Sequence, residues 1–255
     1  MSALHLIEGG ARKKVRPATM SLREAVELDS TRLSFSSGSG PLDLLLGGGF
    51  RTAEMVEVFG ASGTGKTQLA LQSAVSAASA GFSCAYVDAE GQFRPERLSS
   101  ICESRGHDPA QVLPRVYCIR AEDTKQQIAA ISMIDQNEKL DDCRMVIVDT
   151  VSKNFTLEYS GSKMVVSRQT MLGTYLNRLA RNAYRHDRAV ILLNRVASVG
   201  LDAEAREVGI GGDTLRHFVQ RALYLQRRGE RVYASLPDEG VHDEVRLRIT
   251  GRGIE

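Results

Sequence analysis

Apolar residues along the middle of this chain gather in short dense runs, at residues 55–59, 84–87, 116–119, 145–148 and 189–193, rich in valine, isoleucine and small side chains. A run of this length, apolar at successive positions, suits a strand buried on both faces. Between the runs the period changes. Residues 67–80 place Leu69, Leu71, Ala74, Val75 and Ala78 at mostly helical spacing, hold no proline and end at Gly81; residues 96–105, 124–139 and 167–186 also read as helices. Strands alternating with helices predict an α/β fold, a mostly parallel central sheet flanked by helices. Beyond Leu215 the segments shorten to residues 222–225, 232–236 and 245–249, with glycine-containing turns between them. They predict antiparallel strands extending one sheet edge.

Ahead of this core the chain lacks a strong strand as far as about Phe35. It carries a basic run, Arg12-Lys13-Lys14-Val15-Arg16, and a short amphipathic helical pattern from Ser21 to Leu28. The basic run is either a solvated tail or a contact for DNA or a partner. Ser36-Ser37-Gly38-Ser39-Gly40 marks a turn, Pro41 to Leu46 a short apolar helix, and Gly47-Gly48-Gly49 a further break. The expected division is a basic arm and linker over residues 1–35 and a single core over residues 36–255.

Gly60-Ala61-Ser62-Gly63-Thr64-Gly65-Lys66-Thr67, followed by Gln68, lies between the first strand run and the first long helix. The spacing G-x-x-x-x-G-K-T in that context reads as a phosphate-binding loop. Its glycines let backbone N–H groups turn toward phosphate oxygens, Lys66 adds a charge over the outer phosphates, and Thr67 offers a hydroxyl to magnesium. The start of a helix favours the anion further. In sheets of this kind ligands sit beyond the carboxyl ends of the strands. The polar residues there are Asp88, Glu90, Asp149 and Asn194. Asp149 either holds magnesium or caps the next turn. Glu90 is either the base that activates water or an exposed loop glutamate.

Composition adds limits. With 255 residues, 42% of them hydrophobic, the chain can bury a large core. Lysine and arginine total 33 against 31 acids, a balance that neither demands nor excludes nucleic acid. Cys84, Cys102, Cys118 and Cys143 are scattered without metal spacing and read as thiols in a reducing compartment. No apolar run nears the roughly 20 residues of a membrane helix. The expectation is a cytoplasmic protein with no membrane partner.

The ordered motifs together carry a resemblance. The loop through Gln68, then Tyr86-Val87-Asp88-Ala89-Glu90-Gly91-Gln92-Phe93-Arg94-Pro95-Glu96-Arg97-Leu98, then Val146-Ile147-Val148-Asp149-Thr150, is similar to the RecA-type recombinase ATPases of archaea and eukaryotes. The similarity runs from about Phe35 to the C-terminus and includes Tyr159-Ser160-Gly161, Arg168-Gln169 and Gly211-Gly212. It is greatest for the archaeal RadA group and its paralogues, the RadB type among them. The resemblance implies a RecA-like P-loop ATPase core that uses ATP and magnesium between neighbouring subunits of a homo- or hetero-oligomer. Carried over by position, residues Gly60 to Gln68 bind phosphate, Thr67 and Asp149 support the metal, and Lys66 and Glu90 are catalytic. Arg94 lies against adenine, Asn194 senses the terminal phosphate, and His217 sits near the nucleotide and the DNA-facing region. Lys163, Arg168 and Arg206 are the candidate DNA-binding residues.

The departures from the family point to a specialised member. The family's N-terminal helix-hairpin-helix domain and its F-x-x-A linker motif are not read before Ser36, which leaves polymerisation by that route without its sequence signal. Arg195 stands where the family usually has glutamine and can approach phosphate or pair with an acid. The second DNA loop, from Ala197 to Gly209, is short and holds Asp202, Glu204 and Glu207 against the one base Arg206. Ser162 replaces an arginine in the first loop, and Pro237 with Asp238 falls where the family caps a neighbour's ATP. The expected function is an ATP-binding and ATP-hydrolysing recombinase paralogue, a DNA-dependent ATPase that assists homologous recombination and repair with single-stranded DNA and the main recombinase or another paralogue as partners. The alternatives are a full strand-exchange recombinase or a non-catalytic adaptor stabilised by ATP.

Overall fold

The structure is a computed structural model that describes residues 19–199, 206–237 and 243–255. The chain enters with helix α1 (Leu22–Ser30), opened by a capping box in which Ser21 and Glu24 satisfy each other's backbone N–H groups. Strand β1 (Ser34–Phe35) follows, then α2 (Gly40–Leu45) and β2 (Phe50–Arg51), which pairs antiparallel with β1. The repeating core comes next: β3 (Met55–Gly60), α3 (Lys66–Ser79), β4 (Ser83–Asp88), α4 (Pro95–Ser104), α5 (Pro109–Val112), β5 (Val116–Arg120), α6 (Thr124–Gln136), β6 (Cys143–Asp149), α7 (Lys153–Glu158), α8 (Val165–His186) and β7 (Ala189–Asn194). A small hairpin, β8 (Val196–Val199) with β9 (Arg206–Gly209), leads to α9 (Gly212–Arg216). The last elements are β10 (Arg221–Arg228), β11 (Arg231–Ser235), β12 (Val245–Leu247) and the closing hairpin of β13 (Ile249–Thr250) with β14 (Gly253–Ile254).

The central sheet has eight strands in the order β12-β11-β10-β3-β7-β6-β4-β5. Six adjacent strands, from β10 to β5, run parallel; β11 pairs antiparallel with β10, and β12 antiparallel with β11. The mostly parallel sheet, its helical flanks and its antiparallel C-terminal edge agree with the expected architecture. One strand departs from it: β10, read as antiparallel, pairs parallel with β3. The connection through α9 crosses over the sheet and returns the chain in the same direction; the tight turn that reverses it comes only at Gly229 (φ 63°). The polar end Gln226-Arg227-Arg228 also hid the length of this strand. The segment read as a loop after Asn194 contains the β8–β9 hairpin, with Val196 opposite Gly209 and Ser198 opposite Glu207.

Alternation along the buried strands sends side chains to two apolar layers. Met145 and Ile147 face the layer that holds Leu69, Ala74 and Leu98, whereas Val146 and Val148 face the one that holds Leu172, Tyr175 and Leu176. The first layer reaches past the expected boundary at Ser36. Phe35 is buried, packs edge-on against Phe82 with ring centroids 5.8 Å apart, and belongs to the same cluster as Leu42 and Phe50. Phe35→Ala is expected to cost about 3–5 kcal/mol, the usual range for a buried phenylalanine, measured as a fall in unfolding free energy by chemical denaturation. A loss below about 1 kcal/mol would place the segment outside the cooperative core.

Candidate nucleotide site

Strand register gathers the polar strand ends along one sheet edge. Asp88 lies beside Asp149 and Phe59 beside Asn194 in paired positions, and the loop after β3 opens over them. The loop's shape depends on its glycines. A side chain at Gly60 would collide with the carbonyl oxygen of Leu225 on β10, and Gly65 caps α3 from the left-handed region at φ 93°. Thr64 is buried and braces the loop by donating its hydroxyl to the Ala61 carbonyl at 2.9 Å. The Lys66 ammonium donates to the carbonyls of Gly60 and Ala61, both at 2.8 Å.

A cleft of about 800 Å³ opens above the loop, within the size range of small-molecule sites. Gly60, Ala61, Ser62, Gly63, Gly65, Lys66, Thr67 and Gln68 line one side, and Glu90, Asp149 and Thr150 another. The Thr67 hydroxyl donates to Asp149 Oδ2 at 3.0 Å, and the Tyr86 hydroxyl donates to the same oxygen at 2.6 Å. Burial is the main cause raising the Asp149 carboxyl above its usual range, and the charges of Glu90 and Asp88 add to it against the two hydroxyl donors. Burial likewise pulls the Lys66 ammonium down, opposed by Asp149. A desolvated cation over a glycine-rich cradle fits phosphate, and a hydroxyl beside a desolvated carboxylate offers the oxygen donors that magnesium takes with substrate phosphates.

The Asp88-to-Phe93 turn is built by its first residue. Asp88 Oδ1 accepts the N–H of Gly91 and Gln92, its Oδ2 accepts that of Phe93, and Arg120 pairs with it at 3.2 Å. The turn aims Glu90 into the cleft. Its Oε1 accepts the Thr150 hydroxyl at 2.9 Å and its Oε2 the Arg195 guanidinium at 2.7 Å. Arg195 thus pairs with an acid, one of the two roles its sequence position left open.

Arg94 and Asn194 stand apart from the cleft. Arg94 is exposed at the N-cap of α4 and donates to its neighbour's carbonyl, at Phe93. Of the two arginines in this segment it is Arg97 that lines the cleft, reaching Gln68 at 2.7 Å and the carbonyls of Thr250 and Gly251. Pro95 starts the helix, so Arg94 is its N-cap and Arg97, three positions on, faces the loop; that helical register was the missed signal. Asn194 is buried with every polar group committed. Its amide donates to Glu57 at 2.7 Å and Ile210 at 2.8 Å, and its oxygen accepts the Ser152 hydroxyl and the Arg195 N–H. Sequence reasoning also missed Arg227, whose guanidinium lines the cleft and donates to the Gly63 carbonyl at 3.0 Å, and Tyr86, hidden as one more strand former.

Lys163 is exposed on the turn before α8, and Arg168 on the first part of that helix donates to the Tyr159 carbonyl at 3.2 Å. Neither lines the cleft. Leu157 and Val166 are exposed beside them. Exposed His217 caps α9 and meets the Phe218 ring edge-on. The basic run at residues 12–16, Asp202, Glu204 and Asp238 lie outside the described residues, as does the side chain of Arg206. No described helix is long and apolar enough to cross a membrane.

A family model for Rad51 matches residues 29–255. The chain belongs to the Rad51 family of RecA-type recombinase ATPases. It is 36% identical over 249 residues to the DNA repair and recombination protein RadA of Metallosphaera sedula, covering 91% of this chain and 76% of that protein. It is 34% identical over 215 residues to the protein of the same name from Aeropyrum pernix, covering 80% of this chain and 66% of that one. On this Rad51-family core, one buried charge sits beneath the site. Glu57 on β3 is buried, held by Asn194 and, at 3.9 Å, by Arg216.

Burial raises the Glu57 carboxyl above its ordinary value of 4.5, against the pull of Asn194 and Arg216. The folded state therefore favours the neutral acid, and the stability this lends is lost as pH rises through the raised value. Glu57→Gln keeps the bond from Asn194 and removes the charge. Thermal melting is expected to show the variant level with the parent near pH 4 and roughly 2–4 °C higher near neutral pH, the shift of about 1 kcal/mol in a chain of this size. A variant that melts lower at neutral pH contradicts this assignment.

Proposed function

We propose that this chain is an ATP-binding and ATP-hydrolysing recombinase paralogue that assists or regulates homologous recombination and DNA repair, with single-stranded DNA and the main recombinase as partners. The observation that carries the reading is the convergence of the Gly60–Thr67 loop, Asp149 and Glu90 on one cleft, beside a hairpin that has Glu207 at its described base and further acids in sequence. The backbone N–H groups of the loop and Lys66 hold the phosphates, and Thr67 and Asp149 hold magnesium. That ion, when bound, neutralises charge on the phosphate oxygens. Arg97 and Arg227 add cations to the walls of the cleft, and Arg97 takes the place at the base that Arg94 was expected to fill.

Glu90 accepts a proton from water as the water oxygen bonds to the terminal phosphorus; the bond to the bridging oxygen breaks, leaving ADP and phosphate. Partner binding is read from the family and from the loops. Acids in the second loop repel a phosphate backbone, so DNA affinity rests on Lys163, Arg168 and Arg206 and falls steeply with salt. The adaptor reading, in which ATP only stabilises an interface, draws on one observation: both oxygens of Glu90 are already engaged.

Lys66→Ala is expected to weaken ATP binding by roughly 10- to 100-fold, the scale of a lost hydrogen bond to a charged group, in equilibrium binding with a fluorescent ATP analogue. Glu90→Gln is expected to bind ATP at least as tightly as the parent and to lower phosphate release by about 10²–10⁴-fold. Turnover should rise most when single-stranded DNA and the main recombinase are added together. Long filaments and strand exchange by this chain alone would instead establish a full recombinase.

A further inference from the structure

Arg195 differs from the other cations of the cleft in what holds it. Its backbone is fixed: the N–H donates to Asn194 Oδ1 at 3.0 Å, and the carbonyl accepts the N–H of Ile210 at 3.0 Å. Asn194 is itself locked by Glu57, Ser152 and Ile210. The side chain, by contrast, is 58% exposed, and among the described residues its one hydrogen bond runs from Nη2 to Glu90 Oε2 at 2.7 Å. Glu90 is 9% exposed, with its other oxygen taken by Thr150. An exposed guanidinium on a fixed backbone, with a single hydrogen bond among the described residues, can change partners at low cost.

The alternative partner lies in the same cleft. Arg195, Lys66 and Thr67 line it together, and the charges of Arg195 and Glu90 both act on the Lys66 ammonium. A phosphate group presents more negative charge than a carboxylate and accepts both arms of a guanidinium fork. Resting on the nucleotide reading above, we infer that Glu90 and the terminal phosphate of a nucleoside triphosphate compete for Arg195. The Arg195–Glu90 pair is then a latch that holds the water-activating carboxylate until a triphosphate draws the arginine away. A diphosphate lacks the group that competes and leaves the latch closed.

Competition for one side chain predicts coupling that a binding measurement reads directly. The test titrates the full chain with magnesium and either a non-hydrolysable β,γ-imido ATP analogue or ADP, using isothermal calorimetry on the parent, Glu90→Gln, Arg195→Gln and the double variant. Thermal melting checks that each is folded. Freeing Arg195 in Glu90→Gln should tighten analogue binding by roughly two- to fivefold, the scale of a partly exposed ion pair, and leave ADP binding unchanged. In the Arg195→Gln background the same Glu90→Gln change should have no effect on the analogue. Equal tightening in both backgrounds would mean that Glu90 acts through charge repulsion alone, and no tightening in the parent background would mean there is no competition; either result overturns the latch. Failure of the folded parent to bind either nucleotide would reject the nucleotide reading itself, and the latch with it.

Discussion

One carboxylate-bearing residue ties the site together. Asp149 Oδ2 receives the hydroxyls of Tyr86 and Thr67, and the Asp149 carbonyl receives the N–H groups of Ala89 and Glu90 at 2.7 and 3.0 Å. Strand β4, the first turn of α3 and the turn carrying Glu90 therefore meet on the end of β6. Each of these bonds lies in a partly or wholly buried setting, where an unmade partner is costly. The position of Glu90 relative to the phosphate loop is a consequence of this residue more than of the intervening sequence.

The scaffold beneath it follows from the apolar pattern because parallel strands buried on both faces cannot alternate with polar residues. That is why runs such as Met145 to Val148 were legible as strands while β10, with Arg227 and Arg228 at its end, was only half legible. The shape of the loop from Gly60 to Thr67 was legible because glycine at positions 60 and 65 answers a backbone requirement. What escaped was direction. Arg94 and Arg97 are the same residue type three positions apart, and only the start of α4 at Pro95 decides which one faces Gln68. Asn194 and Arg195 are adjacent, and only strand alternation decides that the amide turns inward to Glu57 while the arginine enters the cleft.

The same alternation places polar groups in the interior of this Rad51-family core. A glutamate in a central strand is costly when charged, and Asn194 and Arg216 offset only part of that cost at Glu57, while Gly209 leaves room for it where any side chain would collide with its carboxylate. The base of the β8–β9 hairpin is thus fitted around a buried acid of the nucleotide sheet. Hairpin and sheet are in direct contact at this point, through Gly209 against Glu57 and the Asn194 amide bonded to the Ile210 carbonyl.

The closing hairpin has a bearing on how the molecule is made. Ile254 exchanges two hydrogen bonds with Gln72 on α3, at 2.8 and 3.1 Å, and its side chain occupies the space that a Cβ at Gly65 would need, while Ile249 lines the cleft. The loop is therefore finished by residues made long after it, Ile254 standing 182 positions beyond Gln72 and further still beyond Gly65. Contacts of such long sequence separation form late and carry a high loop-closure cost. A nascent chain holds the loop's sequence long before it holds the wall of the cleft, which only the completed chain supplies.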